Sequence, residues 1–239
     1  MAGLGSRFSQ AGFAEPKPLI PVFGRPMIEV VVENLRPSVG HRFIFICQRA
    51  HDADGSLSAL LERVAAGCVI LFSDTVTEGA ACTVLLAEAL IGGADPMVVA
   101  NCDQYVDIDI AAFYAHARDH RLDGLIMTMP ADHPKWSYVR RNAAGWVEEV
   151  REKVVISNEA TVGVYYFQHG SDFVRGAHAM IRKNERVNNE FYVAPVYNEL
   201  IKQGLRIGTY DVGDRMHGLG TPEDLTSFFA SQPGRLRIT

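Results

Sequence analysis

Several features that would place this chain in a special class are missing. No apolar run approaches the roughly 20 residues that span a bilayer, and no pattern of charged, apolar and cleavage regions marks a secretory signal. The four cysteines have no CxxC spacing, which argues against a zinc site or a disulfide framework. A formal net charge of -5 argues against a nucleic-acid-binding surface. We therefore expect a cytoplasmic protein that binds neither membrane nor nucleic acid.

Repeats, low-complexity tracts and flexible linkers are also absent, so the 239 residues are expected to form one domain. Short apolar runs alternate with amphipathic segments, a pattern that favours a mixed, mainly parallel sheet flanked by helices. Strands are predicted at Arg42–Cys47, Cys68–Phe72, Met97–Ala100, Gly124–Met129, Val162–Phe167 and Arg206–Tyr210. Helices are predicted at Ser56–Ala66, Gly79–Leu90, Ile108–His120, Gly170–Lys183 and Glu190–Gln203, and from Thr221 onwards. A hairpin of Tyr138–Arg141 and Trp146–Val150 indicates a small β-rich insertion after Met129.

The first residues of the chain combine glycines with basic side chains. Gly3 and Gly5 have no side chains, so backbone N–H groups there can approach phosphate oxygens, while Arg7 and Lys17 can supply positive charge. The segment lacks the GK[S/T] ending of a Walker loop and the third glycine of a dinucleotide fingerprint. A GxG pair alone fits an ordinary glycine turn better than a phosphate-binding loop, so its interpretation depends on the neighbouring motifs.

Those motifs follow in the order GxGSR, a spacer, PKPL and PVxGxPM, between residues 3 and 27. This order resembles the signature of sugar nucleotidyltransferases, the pyrophosphorylases that make nucleotide sugars, in a short bacterial-type branch that includes cytidylyltransferases. The resemblance implies a Rossmann-like fold of the nucleotide-diphospho-sugar transferase type. It also implies that Arg7 and Lys17 are catalytic, and that nucleotide is bound by Ala2, Gly3, Gly5 and Ser6. A short apolar strand precedes the glycine loop in that family, whereas this sequence begins at the loop. The start is therefore interpreted as truncated or misassigned, either of which would impair activity.

Two further segments match the family in order and spacing. Thr77, Gly79 and Ala80 resemble its second nucleotide-binding loop, and the alternative is an ordinary helix start packed through small residues. Asp103 comes just after an apolar strand, where open α/β sheets bind ligands. By resemblance Asp103 is the ligand of Mg2+, the one cofactor implied, with a helix-cap or turn role as the alternative.

The match weakens towards the carboxyl end. There the family has an aromatic-x-Asp-x-Gly-Thr-Pro arrangement, whose aspartate is the usual second metal ligand, but Gly218 occupies that position here. Three interpretations stay open. Asp103 acts with phosphates and water, Asp211 or Asp214 substitutes, or metal use is altered.

The acceptor-binding positions depend on looser matches. Glu152 and Lys153 resemble the family's EK element, in which the acid contacts sugar hydroxyls and the lysine contacts the phosphate, although the proline that usually follows is missing. Gly163 lies in a segment similar to the strand that lines the sugar pocket, and Glu190 in one similar to the acidic substrate loop. Runs of charge are commonly solvated faces, and Glu190 also fits the first turn of a helix capped by Asn189.

Together the motifs predict one nucleotidyltransferase domain over residues 1–239, with residues 1–130 binding nucleotide and residues 131–239 binding the acceptor. The predicted reaction couples a nucleoside triphosphate to a sugar 1-phosphate and releases pyrophosphate, for nucleotide-sugar and polysaccharide biosynthesis. A cytidylyltransferase acting on a phosphorylated non-sugar, and a non-catalytic nucleotide-binding homologue, are the alternatives. The base, the acceptor and homo-oligomer formation stay open.

Overall fold

The computed structural model describes Met1 and residues 6–231. Its strands are β1 Pro21–Val22, β2 Arg25–Pro26, β3 Ile44–Gln48, β4 Val69–Ser73, β5 Met97–Ala100, β6 Gln104–Val106, β7 Gly124–Pro130, β8 Ser137–Arg141, β9 Val147–Glu152, β10 Glu159–Phe167, β11 Ile207–Asp211 and β12 Met216–Gly218. Its α-helices are α1 Ser6–Gln10, α2 Met27–Leu35, α3 Ser56–Val64, α4 Ala80–Leu85, α5 Glu88–Ile91, α6 Ile110–Asp119, α7 Gly170–Arg182, α8 Val196–Lys202 and α9 Pro222–Ser231. In this part of the chain, no helix has the length and apolar character needed to cross a membrane.

The chain divides into two compact units. Unit 1 comprises Met1–Val76, Asn101–Ala111 and Arg215–Thr239, and unit 2 comprises Thr77–Ala100 and Ala112–Asp214. Both units are discontinuous in sequence, so one cut near residue 130 does not reproduce them. The assignment of nucleotide binding to residues 1–130 and acceptor binding to residues 131–239 concerns ligands and stays a prediction.

The core of unit 1 forms where α2 and α3 pack against the parallel pair β3–β4. Its buried side chains are Ile28, Val32, Phe45, Cys47, Leu57, Leu60, Leu61 and Ala65. Helix α2 was not among the predicted helices, because its run Val30–Val32 is β-branched and therefore has low helix propensity. Burial of these valines in the folded unit outweighs that local preference.

Unit 1 also contains the antiparallel pair β6–β12, and Asn34 fastens this pair to α2. The Asn34 Nδ2 group donates to the Val106 carbonyl at 2.7 Å, and the Asn34 Oδ1 atom accepts from the Val106 N–H at 2.9 Å. Beyond the end of β12, the Leu219 N–H donates to the Asp103 carbonyl at 2.8 Å. The segment that follows β12 therefore runs beside Asp103.

The main sheet of unit 2 has the order β11-β7-β10-β8-β9, with β5 paired to β10. The mixed α/β class with flanking helices is confirmed, and the predicted hairpin is β8–β9. Among the described strands, parallel pairing is confined to β11–β7 and β3–β4, less than the mainly parallel sheet that we expected. Strand β10 is the reason, since it runs antiparallel to β5, β7 and β8.

Helices α7 and α8 supply much of the core of unit 2. The Phe167 ring of β10 stacks on the Tyr197 ring of α8, with centroids 4.6 Å apart. Asn198 of α8 also holds the edge strand β9, because its Nδ2 and Oδ1 atoms hydrogen-bond the Val150 carbonyl and N–H at 2.8 and 2.9 Å. Strand β9 ends at Glu152, so this bond pair supports a predicted acceptor-binding residue.

Two predicted helices of unit 2 have different bounds in the structure. The helix predicted over Gly79–Leu90 is split into α4 and α5, because the N–H groups of Leu86 and Ala87 bond to carbonyls only three residues back. The helix predicted to begin at Glu190 begins at Val196. The preceding backbone is engaged elsewhere, since the Phe191 N–H donates to the Glu78 carbonyl at 2.8 Å.

Candidate active site

Lys17 and Asp103 are distant in sequence but adjacent in unit 1. Lys17 begins a short 3-10 turn, Lys17–Leu19, in which the Leu19 N–H donates to the Pro16 carbonyl at 2.8 Å. The Lys17 ammonium forms an ion pair with Asp103 Oδ2, and the two side chains are 19% and 27% exposed. The same ammonium lies 5.9 Å from the centroid of the buried Phe8 ring. Two residues predicted from separate motifs therefore share one partly shielded location.

Gly220 lies directly against this ion pair. A Cβ atom placed on Gly220 would lie 3.1 Å from Asp103 Oδ2 and 3.7 Å from Lys17 Nζ. The same point is 3.6 Å from Oδ2 of Asp224. The ammonium and the two carboxylates therefore converge beside Gly220, where a side chain would be crowded.

Asp224 also lies at this location, although no sequence motif marks it. It lies in the first turn of α9, where its N–H donates to the Thr221 hydroxyl oxygen at 3.1 Å, so Thr221 caps the helix that was predicted to begin there. Side chains on a helix lean towards its amino terminus, so the Asp224 carboxylate reaches back towards the segment after β12. In sequence, an acid at this position is indistinguishable from one that merely favours a helix start.

The other acids considered as second ligands belong to unit 2. Asp211 is exposed at the end of β11, and its Oδ1 atom accepts from the Gly213 N–H at 2.8 Å. Asp214 is exposed in the turn that follows. Neither residue belongs to the unit that contains Asp103.

The residues around Gly220 fit the ligand chemistry of Mg2+. This ion is commonly bound through one or two carboxylates together with substrate phosphates. Asp103 and Asp224 supply two carboxylates, and an oxygen of each lies within 4 Å of the point that a Gly220 Cβ would occupy. In the described ranges, no group of three or more His, Cys, Asp or Glu residues is arranged to hold a metal ion. The donor set therefore suits an ion that takes its remaining ligands from substrate and water.

The predicted amino-terminal residues are only partly described. Arg7 is exposed on α1. Ala2, Gly3 and Gly5 lie outside the described residues, and so does the side chain of Ser6. Their predicted role in binding phosphate stays a prediction.

In unit 2, the predicted second nucleotide loop is a tightly held turn. Gly79 has φ of 126°, and a Cβ atom there would lie 2.5 Å from both the N and O atoms of Phe191, so only glycine fits. The Thr77 hydroxyl contacts that of Thr83 at 2.6 Å, and it also donates to the Gly79 carbonyl at 3.0 Å. Ala80 then begins α4. The turn thus has a structural reason for its glycine beside the predicted contact with nucleotide.

Glu152 and Lys153 form the centre of a polar cluster in unit 2. Glu152 is only 6% exposed and accepts a hydrogen bond from the Ser137 hydroxyl. Lys153 Nζ lies 4.0 Å from Glu152 Oε1, donates to the Tyr192 hydroxyl and lies 4.5 Å from the centroid of the Tyr192 ring. Each charged group of the predicted EK element therefore has a fixed partner.

The surroundings raise the pKa values of both Glu152 and Lys153. Burial raises the pKa of Glu152, although the Ser137 hydrogen bond and the Lys153 charge act against this. Burial acts to lower the pKa of Lys153, but the Tyr192 hydrogen bond and the carboxylates of Glu152 and Glu190 outweigh it and raise that pKa. Lys153 therefore remains a cation at neutral pH. Its φ of 56° is left-handed, an arrangement that costs a residue with a side chain about 1–3 kcal/mol.

Gly163 and Glu190 lie in irregular backbone of the same unit. Gly163 has φ of 76° and interrupts the β10–β7 register between Thr161 and Tyr165. Glu190 follows two left-handed asparagines, Asn188 and Asn189, in a tight turn closed on Val187. The alternative in which Asn189 caps a helix beginning at Glu190 is therefore wrong.

Comparison with known proteins identifies the family. The family model for nucleotidyl transferases matches residues 1–213. The chain belongs to this family. The family prediction from the glycine-rich opening is thus confirmed.

Individual members show the extent of the similarity. The catalytic subunit beta of mannose-1-phosphate guanylyltransferase from Dictyostelium discoideum is 27% identical over 173 residues, which are 70% of this chain and 48% of that protein. The chain thus spans about half the length of this curated relative. The crystal structure of a nucleoside-diphosphate-sugar pyrophosphorylase from Vibrio cholerae RC9 is 26% identical with a TM-score of 0.83, covering 96% of this chain and 98% of that one. The inositol-1-phosphate CTP transferase of T. maritima shares the fold at 15% identity, with a TM-score of 0.74 over 96% of this chain and 90% of its own.

Proposed function

We propose that this family member couples a nucleoside triphosphate to a sugar 1-phosphate and releases pyrophosphate. The observation that carries the proposal is the Lys17–Asp103 pair, which joins two family motifs beside Gly220. Further support comes from the relatives named above, a mannose-1-phosphate guanylyltransferase and a nucleoside-diphosphate-sugar pyrophosphorylase.

The chemistry of this reaction is mainly electrostatic. A phosphate oxygen of the acceptor attacks the α-phosphorus of the triphosphate and forms a new P–O bond. The bond from the α-phosphorus to the oxygen that bridges to the β-phosphate breaks, and pyrophosphate leaves with its electron pair. Because the acceptor phosphate is already ionised at neutral pH, no general base is required. The protein has to hold two polyanions in line and offset their repulsion.

Unit 1 supplies groups suited to the triphosphate. The Lys17 ammonium is kept in place by its 3-10 turn and by Asp103, and it offsets phosphate charge when substrate is present. When bound at Asp103, Mg2+ supplies further positive charge and polarises the phosphoryl oxygens. Arg7 and the glycine loop of Ala2, Gly3, Gly5 and Ser6 are proposed to bind the same phosphates.

Unit 2 supplies groups suited to the acceptor and the base. Lys153 is a cation fixed by Tyr192, so it is proposed to bind the acceptor phosphate. The buried Glu152 carboxylate, held by Ser137, is proposed to accept hydrogen bonds from sugar hydroxyls, with Gly163 and Glu190 at the same substrate. The nucleotide base is assigned to Thr77, Gly79 and Ala80.

The test is pyrophosphate release across a panel of nucleoside triphosphates and acceptors, with Mg2+ present. Hexose 1-phosphates are compared with phosphorylated non-sugar alcohols. We expect release with at least one hexose 1-phosphate. Release only with CTP and a non-sugar acceptor would favour the cytidylyltransferase alternative, and triphosphate binding without any release would favour a non-catalytic homologue.

A matched pair of variants tests the role of Lys17. Lys17→Ala should lower kcat/KM by about 100-fold or more, the usual loss when a charge-stabilising group is removed. Arg49→Ala is the control, because it removes another cation of unit 1, one paired with Asp74 at 2.5 Å on an exposed surface. Turnover at the wild-type rate in Lys17→Ala, with both variants folded by thermal unfolding, would refute the assignment.

A further inference from the structure

We infer that Asp224 is the second carboxylate of a divalent-cation site in unit 1, in place of the side chain that Gly218 lacks. The inference rests on the proposed function for the role of the cation, but it assigns a residue that no family motif identifies. Its ligand class is a hard divalent cation such as Mg2+ or Mn2+.

The first observation is the space next to Gly218. A Cβ atom there would lie 3.1 Å from the Asp224 Cγ atom and 3.3 Å from each of its carboxylate oxygens. A side chain at position 218 and the Asp224 carboxylate thus compete for the same volume. The absence of a side chain at Gly218 is what lets a carboxylate from α9 occupy this place.

The second observation is that Asp224 converges with Asp103 from a separate element. Asp103 precedes β6 and Asp224 lies on α9, yet a Cβ atom on Gly220 would lie 3.1 Å from Oδ2 of the former and 3.6 Å from Oδ2 of the latter. Both carboxylates therefore converge on one point beside Gly220, and one or two carboxylates together with substrate phosphates are the ligand set that Mg2+ commonly takes.

The third observation is the charge around this point beside Gly220. Lys17 is paired with Asp103, whereas no hydrogen bond or ion pair to the Asp224 carboxylate is present within the described residues. One ammonium faces two carboxylates in a partly shielded location, and the unbalanced negative charge attracts a divalent cation.

A structural role for Asp224 has to be separated from a role in binding the cation. An acid in the first turn of a helix is favoured by the helix dipole whatever else it does. Glu223 is the matched control, because it occupies the same turn of α9 but is exposed, and none of its atoms is among the three nearest to a Cβ on Gly218 or on Gly220. Asp224→Asn keeps the backbone bond to Thr221, so this variant is expected to fold.

The experiment measures binding of Mn2+ by electron paramagnetic resonance of the free ion, with and without a nucleoside triphosphate. We expect the wild type and Glu223→Gln to bind Mn2+ with Kd values within about twofold of each other. Asp224→Asn and Asp103→Asn should each raise Kd by about tenfold or more, as loss of a charged ligand does. Mn2+ binding by Asp224→Asn at wild-type affinity, or none by the wild type in either condition, would overturn the inference.

Relocating the carboxylate gives a stricter test. Asp224→Ala empties the space next to Gly218, and adding Gly218→Asp returns a carboxylate to it. We expect the double variant to bind Mn2+ at least about fivefold more tightly than Asp224→Ala alone, since loss of such a ligand typically costs tenfold or more. A double variant that is folded by thermal unfolding but binds Mn2+ no better than Asp224→Ala would refute the exchange of positions 218 and 224.

Pyrophosphate release by the same proteins distinguishes this inference from the proposed function. If Asp224→Asn loses Mn2+ binding but the wild type releases no pyrophosphate with any pair of substrates, the cation site stands and the proposed function fails. If the wild type turns over and Asp224→Asn matches it in both assays, the proposed function stands and the inference fails.

Discussion

Asn34 of α2 holds β6 through two hydrogen bonds, and the loss of stability on removing its side chain follows from the groups that it pairs. Asn34→Ala removes both hydrogen bonds to Val106, a residue only 1% exposed, and leaves the buried Val106 N–H without this partner, whereas the Val106 carbonyl still accepts from the Ile108 N–H at 2.9 Å. Each unpaired buried group costs about 1–3 kcal/mol. Because Asn34 itself is half-buried, water recovers part of this, and we expect the free energy of unfolding to fall by roughly 1–3 kcal/mol in total.

Asn34→Ala should also lower activity, because β6 positions Asp103. Asp103 immediately precedes this strand, so loosening β6 displaces the proposed cation ligand. Misplacement by about 1 Å costs up to about 100-fold in rate, so kcat should fall while KM for the acceptor changes little. Urea unfolding gives the loss of stability, and pyrophosphate release gives the kinetic constants.

Asn198 provides a matched comparison in unit 2. It makes the same pair of hydrogen bonds to Val150 of β9, the strand that ends at Glu152. Asn198→Ala should therefore lose at least as much stability but mainly raise KM for the acceptor. A free energy of unfolding for Asn34→Ala within about 0.5 kcal/mol of the wild type, the range of a neutral surface change, would refute the reasoning. Identical kinetic effects of the two variants would refute the assignment of β6 and β9 to different substrates.

Three further predictions follow from unit 2. Gly79→Ala should lower the free energy of unfolding by about 2–3 kcal/mol or more, because its Cβ would overlap the Phe191 backbone; thermal unfolding measures this, and a neutral effect would contradict the packing. Burial raises the pKa of Glu152, so the stability it contributes is fully present below its unfolded pKa and lost as pH rises through its folded pKa. Glu152→Gln should thus be more stable than the wild type at pH 7, with the difference fading towards pH 4 in denaturant titrations, and should bind acceptor less tightly. Lys153→Met should raise KM for the acceptor by about 10-fold or more, as loss of a charge-assisted hydrogen bond does, and leave KM for the triphosphate unchanged in steady-state assays.

Local sequence patterns identified most of the secondary structure. Strand β5 lies where it was predicted, at Met97–Ala100, and β3, β4, β7 and β11 differ from prediction by a residue or two. These segments are short apolar runs whose strand preference agrees with their burial. Predictions failed where tertiary contacts overrule local preference. Helix α2 contains a β-branched run, and the backbone after Glu190 bonds to the Gly79 turn instead of continuing a helix.

The glycine-rich opening, the PKPL segment and Asp103 were sufficient in the sequence alone to predict the family, because the chemistry of binding phosphate constrains residue types and their order along the chain. The sequence also showed that the expected second aspartate is replaced by Gly218, but not what fills the gap. That depended on the tertiary structure, which brings Asp224 of α9 against Gly218 and Gly220. In sequence, a helix start is sufficient to explain an acid at position 224, and the approach of this carboxylate to Asp103 becomes visible only in three dimensions.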